Sequence, residues 1–165
     1  AKNQEVELKE AQDRISKAIP ELQALYNKGG ERPVARYYEK NELNLILEDI
    51  LATCEEDEEK TYRIYSAEGV KEYLYGSFPT FSDVRVAKGI AVKAISLGGE
   101  GELRGLDERK CLGEGYKNAT YIIIYPGKTA YVSLNAKKEP IGVVIENDGV
   151  FETQKIIFDN LWKNL

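Results

Sequence analysis

The sequence predicts an α/β domain, a mixed sheet flanked by helices, preceded by an N-terminal coiled-coil-type helix. Three observations carry this. Between Leu8 and Leu25 apolar residues recur in alternating steps of three and four, the seam of a helix packed lengthwise on a partner. From Val34 to Ser96 short apolar strands alternate with stretches of helical period, which implies right-handed βαβ crossovers and a mostly parallel sheet. Three closely spaced segments, TYIIIY, TAYVSL and IGVVIE, then lead into a final helix ending FDNLWKNL. Connections that short permit only antiparallel pairs, so the sheet must be mixed.

The seam consists of Leu8, Ala11, Ile15, Ala18, Leu22 and Leu25. It either docks on its own domain or pairs with the same helix of a second subunit. Its two alanines make it narrow, which favours helix-to-helix contact and a homodimer. Pro20 removes a backbone donor and crowds the preceding turn, so a kink or a fresh start is expected there, with Glu21 in the first new turn. Gly29-Gly30 should end the helix. Residues 1–29 therefore read as a linker or dimerisation helix and 30–165 as the folded domain.

Within that domain Val34 to Tyr38 reads as a strand, with Val34, Arg36 and Tyr38 on one face. Asn41 should cap a helix through about Thr53 whose buried stripe is Leu43, Ile46, Leu47, Ile50 and Leu51. Thr61 to Tyr65 is a second strand, and Ser66 should cap a helix over Ala67 to Tyr75. Phe78 to Lys88 reads as helical, beginning after Pro79 and stopped by Gly89. Ile90 to Ser96 is a third strand with Lys93 outward. Gly98 to Gly115 holds six glycines and the charged run LRGLDERK, a long connection of the kind that is functional or mobile. Trp162 anchors the last helix near Phe158 and Leu161.

Composition excludes several function classes. Net charge is −5, which argues against this chain gripping nucleic acid alone, since phosphate binding needs a basic face. The acidic cluster Glu55-Glu56-Asp57-Glu58-Glu59 reads as a solvated loop. No apolar run approaches the ~18 residues of a membrane helix, and no signal peptide is visible. Cys54 and Cys111 lack metal-type spacing and read as reduced and structural, which suits a cytoplasmic location. The chain contains no histidine, which removes the commonest general base, the commonest zinc ligand and every Ser-His or Cys-His arrangement. Neither a metal nor a cofactor is expected: Gly98-Gly99-Glu100-Gly101 lacks the Lys-Ser/Thr of a phosphate-binding P-loop. The eleven tyrosines have no basic stripe among them and read as sheet and core residues. The chain starts at Ala1 and has no methionine, so an excised or processed segment of a longer protein is expected.

An ordered set of segments then resembles the regulatory domain of the TrmB-like transcription regulators, a domain similar to phospholipase D. These are PELQALY closing the leader helix, RPVARYYE with ELNLILEDIL, RVAKGIAVKAI after a Phe-Pro, YIIIYPGKTAYVSLNAKKEPIGVVIEN, and ETQKIIFDNLW. No piece is specific alone; their order and spacing across nearly the whole chain carry the resemblance. It implies a helix leaving an N-terminal winged helix-turn-helix head, here absent and upstream of Ala1, followed by a phospholipase D-like sensor domain. DNA would be met only through that head. The phospholipase D superfamily uses His, then Lys two residues on, then Asp. The corresponding strand, Lys128-Thr129-Ala130-Tyr131-Val132, lacks the histidine. Only the scaffold carries over, and no catalytic residue is assigned.

Ligands of open α/β sheets sit beyond the carboxyl ends of the strands. Those ends present Tyr38 and Glu39, Tyr65 and Ser66, and Ser96, with Arg104, Asp107 and Arg109 placed to close over them. Two arginines suit an anion, because guanidinium offers paired donors to planar oxygens. Surface ion pairs among Arg104, Asp107, Glu108 and Arg109 are the plainer alternative, and Ser66 serves equally as a helix cap. The expected function is a regulatory and dimerisation domain, not an enzyme, with a small anionic or sugar-type effector. The alternatives are a carboxylate-dependent enzyme using Asp107 with Glu39 on a phosphorylated or sugar substrate, or a purely structural dimerisation domain with no cavity near Arg104.

Overall fold

The computed structural model describes residues 2–27, 33–99, 101–113, 115–116 and 118–165, and within the first helix the side chains of 4–20. The chain divides into two compact units, Ala1–Pro33 and Val34–Leu165. The first holds one helix, α1 (Lys2–Asn27), which continues through Pro20 without a fresh start. One lost backbone bond does not end a helix that is hydrogen-bonded on both sides of it. The expected stop at Gly29-Gly30, and the side chains of Leu22 and Leu25, lie outside the described residues. Leu8 and Ile15 are 65% and 61% exposed, and Ala11 and Ala18 are half-buried.

The second unit is a seven-stranded sheet with helices on both faces. In chain order it comprises β1 (Val34–Tyr38), a 3-10 turn (Lys40–Glu42), α2 (Leu43–Glu56), β2 (Thr61–Ser66), α3 (Glu68–Gly76), α4 (Phe81–Ala87), β3 (Ala91–Ser96), β4 (Asp107–Cys111), β5 (Tyr121–Tyr125), β6 (Lys128–Leu134), β7 (Pro140–Glu146) and α5 (Asp148–Lys163). The spatial order is β1-β7-β6-β5-β2-β3-β4. Only β2–β3 and β3–β4 pair in parallel; the four remaining pairs are antiparallel. The sheet is mixed as expected but mainly antiparallel. The reason is that β1 does not join β2: it closes the far edge against β7, with Tyr38 opposite Gly142.

Local chemistry explains most boundaries. Pro126 and Gly127 (φ +74°) form the two-residue link between β5 and β6, a proline then left-handed glycine pairing suited to a tight turn. Asn147 caps α5 by accepting from the Val150 amide at 2.9 Å. Asn41 lies inside the 3-10 turn instead of capping α2, and the Glu39 amide donates to Glu42 Oε1 at 3.1 Å. Ala67, not Ser66, stands at the head of α3; Ser66 is the last residue of β2, and extended backbone there leaves its side chain buried in the sheet. α2 runs on to Glu56, so the acidic cluster begins in its last turn, where Glu55 pairs with Lys88 at 2.7 Å.

Two cores result. One face of the sheet carries Tyr62, Ile64, Val92, Ala94, Tyr121 and Ile123, packed with Leu43, Ile46, Leu47 and Ile50 of α2, Val70 and Leu74 of α3, and Phe81 at the head of α4. The other face carries Tyr65, Ile95 and Ile124 against Phe158 of α5. Phe158 stacks on Trp162 at 5.9 Å between ring centroids. Lys93, expected to face solvent, lies on this second face with its ammonium 5.6 Å from the Trp162 ring, because α5 covers that side. Among the described residues no helix is long and apolar enough to cross a membrane.

Candidate functional site

The 97–111 segment is where sequence and structure differ most. The glycine-rich connection contains β4, which adds to the sheet edge with Asp107 beside Val92 and Arg109 beside Ala94. Alternation along β4 sends Asp107 and Arg109 to the face carrying Tyr62 and Tyr121. Lys110 goes to the α5 face, where it donates to the Trp162 carbonyl at 2.7 Å and sits 4.6 Å over the indole.

A buried arginine positions this strand. Arg85, 2% exposed at the end of α4, donates to the carbonyls of Ile90 and Gly105 at 2.8 Å each and of Leu106 at 3.4 Å. Asp107 draws the same turn closed, accepting from the Arg104 amide at 3.1 Å and the Gly105 amide at 2.8 Å. Leu106 takes φ +52° within it. Both charged side chains are therefore spent on backbone groups of the turn.

Between β2, β3, β4 and the helices α3 and α4 lies a cavity of about 430 Å³, within the size range of small-molecule sites. Its floor is apolar (Ile64, Val92, Ala94), its wall aromatic (Tyr75, Phe78, Phe81), and Lys71, Arg104 and Glu102 are among the charged groups at its margin. The hydroxyls of Tyr75 and Tyr121 bond each other. Burial pushes the phenols of Tyr62 and Tyr121 well above their ordinary range and that of Tyr75 upward, so all three remain protonated donors at neutral pH.

Arg109 lines the same cavity and is unlike Arg85. Its Nε and Nη1 are shut off from solvent and reach no acceptor among the described residues. A Cβ added to Gly101 would lie 2.5 Å from its Cζ, so a side chain at 101 would force the guanidinium to shift. The only other orphaned buried side-chain atom among the described residues is Thr129 Oγ1, opposite Ile124 in register and so on the α5 face.

Of the residues singled out from sequence, Arg104, Asp107 and Arg109 come together around this cavity. Ser66 and Ser96 are buried register partners at the ends of β2 and β3. The Ser96 hydroxyl donates to the carbonyls of Gly98 at 3.0 Å and Gly99 at 2.8 Å, shaping the connection instead of facing a ligand. Tyr38 and Glu39 do not join them. β1 stands four strands from β2 in the sheet order, about 19 Å at the usual ~4.8 Å spacing. Asp107 and Glu39 lie at opposite edges, so that carboxylate pair cannot act on one substrate. The sequence reading missed Tyr62, Tyr75 and Tyr121 as cavity residues. Their only signal was an excess of tyrosine.

Lys128, on the strand that resembles the phospholipase D motif, is also occupied. Its ammonium contacts both Asp49 oxygens at 3.0 Å, and Tyr125 donates to the same carboxylate at 2.7 Å. Among the described residues no group of three or more Cys, Asp or Glu is gathered to hold a metal ion.

No family model and no curated protein matches the chain. Its fold is similar to that of TrmBL2, an archaeal chromatin protein whose structure shows a novel mode of DNA binding. The TM-score is 0.53 at 14% identity, over 98% of this chain and 65% of that one. The chain thus spans 65% of that neighbour's length. It is also similar to NucT from Helicobacter pylori, with a TM-score of 0.51 at 9% identity, over 80% of this chain and 97% of the other. At these identities the likeness is one of fold.

Proposed function

We propose that this chain is the regulatory part of a TrmB-like DNA-binding regulator, a dimerising sensor domain that does no chemistry of its own. The observation that carries this reading is the cavity beside β4. It is lined by aromatic groups and by one guanidinium, Arg109, whose buried donors meet no acceptor among the described residues, and Arg85 is consumed in holding the strand that forms its edge. Such a cavity suits reversible capture of a small anionic or sugar-type effector. A domain serving dimerisation alone has no use for it.

Two further points support the reading. A histidine-free chain whose Lys128 is neutralised by Asp49 has no group poised as nucleophile or base at the strand that resembles the phospholipase D motif. The likeness to TrmBL2 takes in nearly all of this chain yet leaves roughly a third of TrmBL2 outside the match, which is room for a separate DNA-reading segment. On this reading α1 joins the sensor to that segment, and its exposed Leu8 and Ile15 meet a second subunit in the cytoplasm. Reading the natural coding frame upstream of Ala1 tests it. A winged-helix segment is expected there. A frame that opens at this helix, or an unrelated domain there, would overturn it.

A further inference from the structure

We infer that the Arg109 cavity is a receptor for a monocarboxylate carrying a compact apolar body, such as an aryl or branched-chain acid. This rests on the sensor reading only for what the binding accomplishes; the chemistry is that of the site itself.

Arg109 leaves two N–H-bearing nitrogens closed to water and without acceptors among the described residues. Desolvated donors of that kind are costly until an acceptor arrives, and the strongest fit for a guanidinium is a planar carboxylate. The surroundings limit how much negative charge can enter. Four basic residues (Lys71, Arg85, Arg104, Arg109) line the cavity against four acidic ones (Glu68, Glu72, Glu102, Asp107). Arg85 and Asp107 are already bound to the backbone. Lys71, Arg104 and Arg109 then balance Glu68, Glu72 and Glu102. Among the described lining residues only Arg109 holds buried donors awaiting an acceptor, so one added negative charge is matched and a phosphate dianion is disfavoured.

The rest of the surface selects the body of the ligand. Ile64, Val92, Ala94, Phe78 and Phe81 offer no hydrogen bonds, and the bond between Tyr75 and Tyr121 leaves one hydroxyl proton between them for a ligand. A sugar would bury hydroxyls there unpaired, at a loss. A flat or branched hydrocarbon gains from the same aromatic walls.

The test is a thermal-shift series followed by calorimetric titration on the full 165-residue chain, using benzoate and 3-phenylpropanoate as probes against maltose and inorganic phosphate. The carboxylates should raise Tm saturably, and maltose and phosphate should not. Arg109→Gln should weaken carboxylate binding roughly 10–100-fold, the equivalent of one lost charge-assisted contact. Gly101→Ala keeps the guanidinium but drives a methyl into it, and should give a comparable loss if Arg109→Gln fails to fold. Carboxylate binding unchanged in both variants overturns the assignment. So does binding of maltose or phosphate in place of the carboxylates, although an Arg109-dependent response of that kind leaves the sensor reading standing. Absence of any response from a chain that still dimerises removes the carboxylate receptor and leaves the dimerisation reading intact.

Discussion

Arg85→Met is the most informative single perturbation of the fold around the cavity. The substitution keeps a long flexible side chain in a pocket that leaves Arg85 2% exposed, and deletes its donors to Ile90, Gly105 and Leu106. The three bonds are not equal. Ile90 is fully buried, so its carbonyl has no water to turn to, and losing a charged partner there costs about 1.5–3 kcal/mol. Gly105 and Leu106 are exposed, so water replaces part of what they lose, and each contributes at most about 1 kcal/mol. Removing the buried guanidinium recovers some desolvation. The balance is a destabilisation of about 2–4 kcal/mol. It should appear as a lower urea midpoint with an unchanged slope, read by tryptophan fluorescence and circular dichroism together. The 104–107 turn should also lose hydrogen-exchange protection before the rest of the sheet. A change below about 1 kcal/mol, or a turn as protected as before, would refute the argument that Arg85 clamps β4 in place.

The buried phenols set an alkaline limit. Tyr62, Tyr121 and Tyr125 have folded pKa values raised above the ordinary value of about 10 by burial, Tyr125 also by its bond to Asp49. Their contribution to stability is complete below that value. As pH rises past it, the unfolded chain loses protons that the folded chain keeps, so stability falls by up to about 4 kcal/mol per pH unit for the three together. Phenolate absorbance from these residues should rise in step with unfolding; ionisation of all tyrosines in a still-folded protein would contradict this. The thiols should react unequally, since burial first, then Asp57 and Asp49, push Cys54 up to about 12, whereas Cys111 is exposed. Near pH 8 about one thiol per chain should react with a disulfide reagent in buffer and two in denaturant; rapid labelling of both in buffer would count against the core as drawn. Gly142→Ala should destabilise by about 1–2 kcal/mol in a urea titration, because the new methyl meets Ile46 Cδ1 at 2.8 Å and Leu43 Cδ2 at 3.4 Å. A neutral result would mean that α2 sits further from β7.

Elements with a strong apolar signature were legible from residues alone. The α2 stripe Leu43, Ile46, Leu47, Ile50 and Leu51 is buried throughout, and the three C-terminal strands lie in the expected order against the last helix. β4 was not legible, because DERKC has no apolar face to reveal it. An edge strand needs charge to discourage further pairing, and here that charge resembles a surface loop. The placement of Tyr38 failed for a topological reason. Strands successive in sequence need not be neighbours in space, and a long-range antiparallel partner, β7, takes β1 instead. The cavity itself is assembled from positions 62, 75, 109 and 121 on separate elements. No local pattern marks such a site; the excess of tyrosine and the run holding Arg104, Asp107 and Arg109 were its only traces.

The account depends most on α1 giving its exposed Leu8 and Ile15 to a second copy. Sedimentation velocity on the chain between about 1 and 100 μM tests that directly. The account predicts a species of twice 18.6 kDa at the upper concentrations. Ile15→Glu, which places a charge in the seam where like helices meet, should return it to a monomer with its circular dichroism otherwise unchanged. A protein that sediments as a monomer across the whole range, or a dimer indifferent to that substitution, would contradict it.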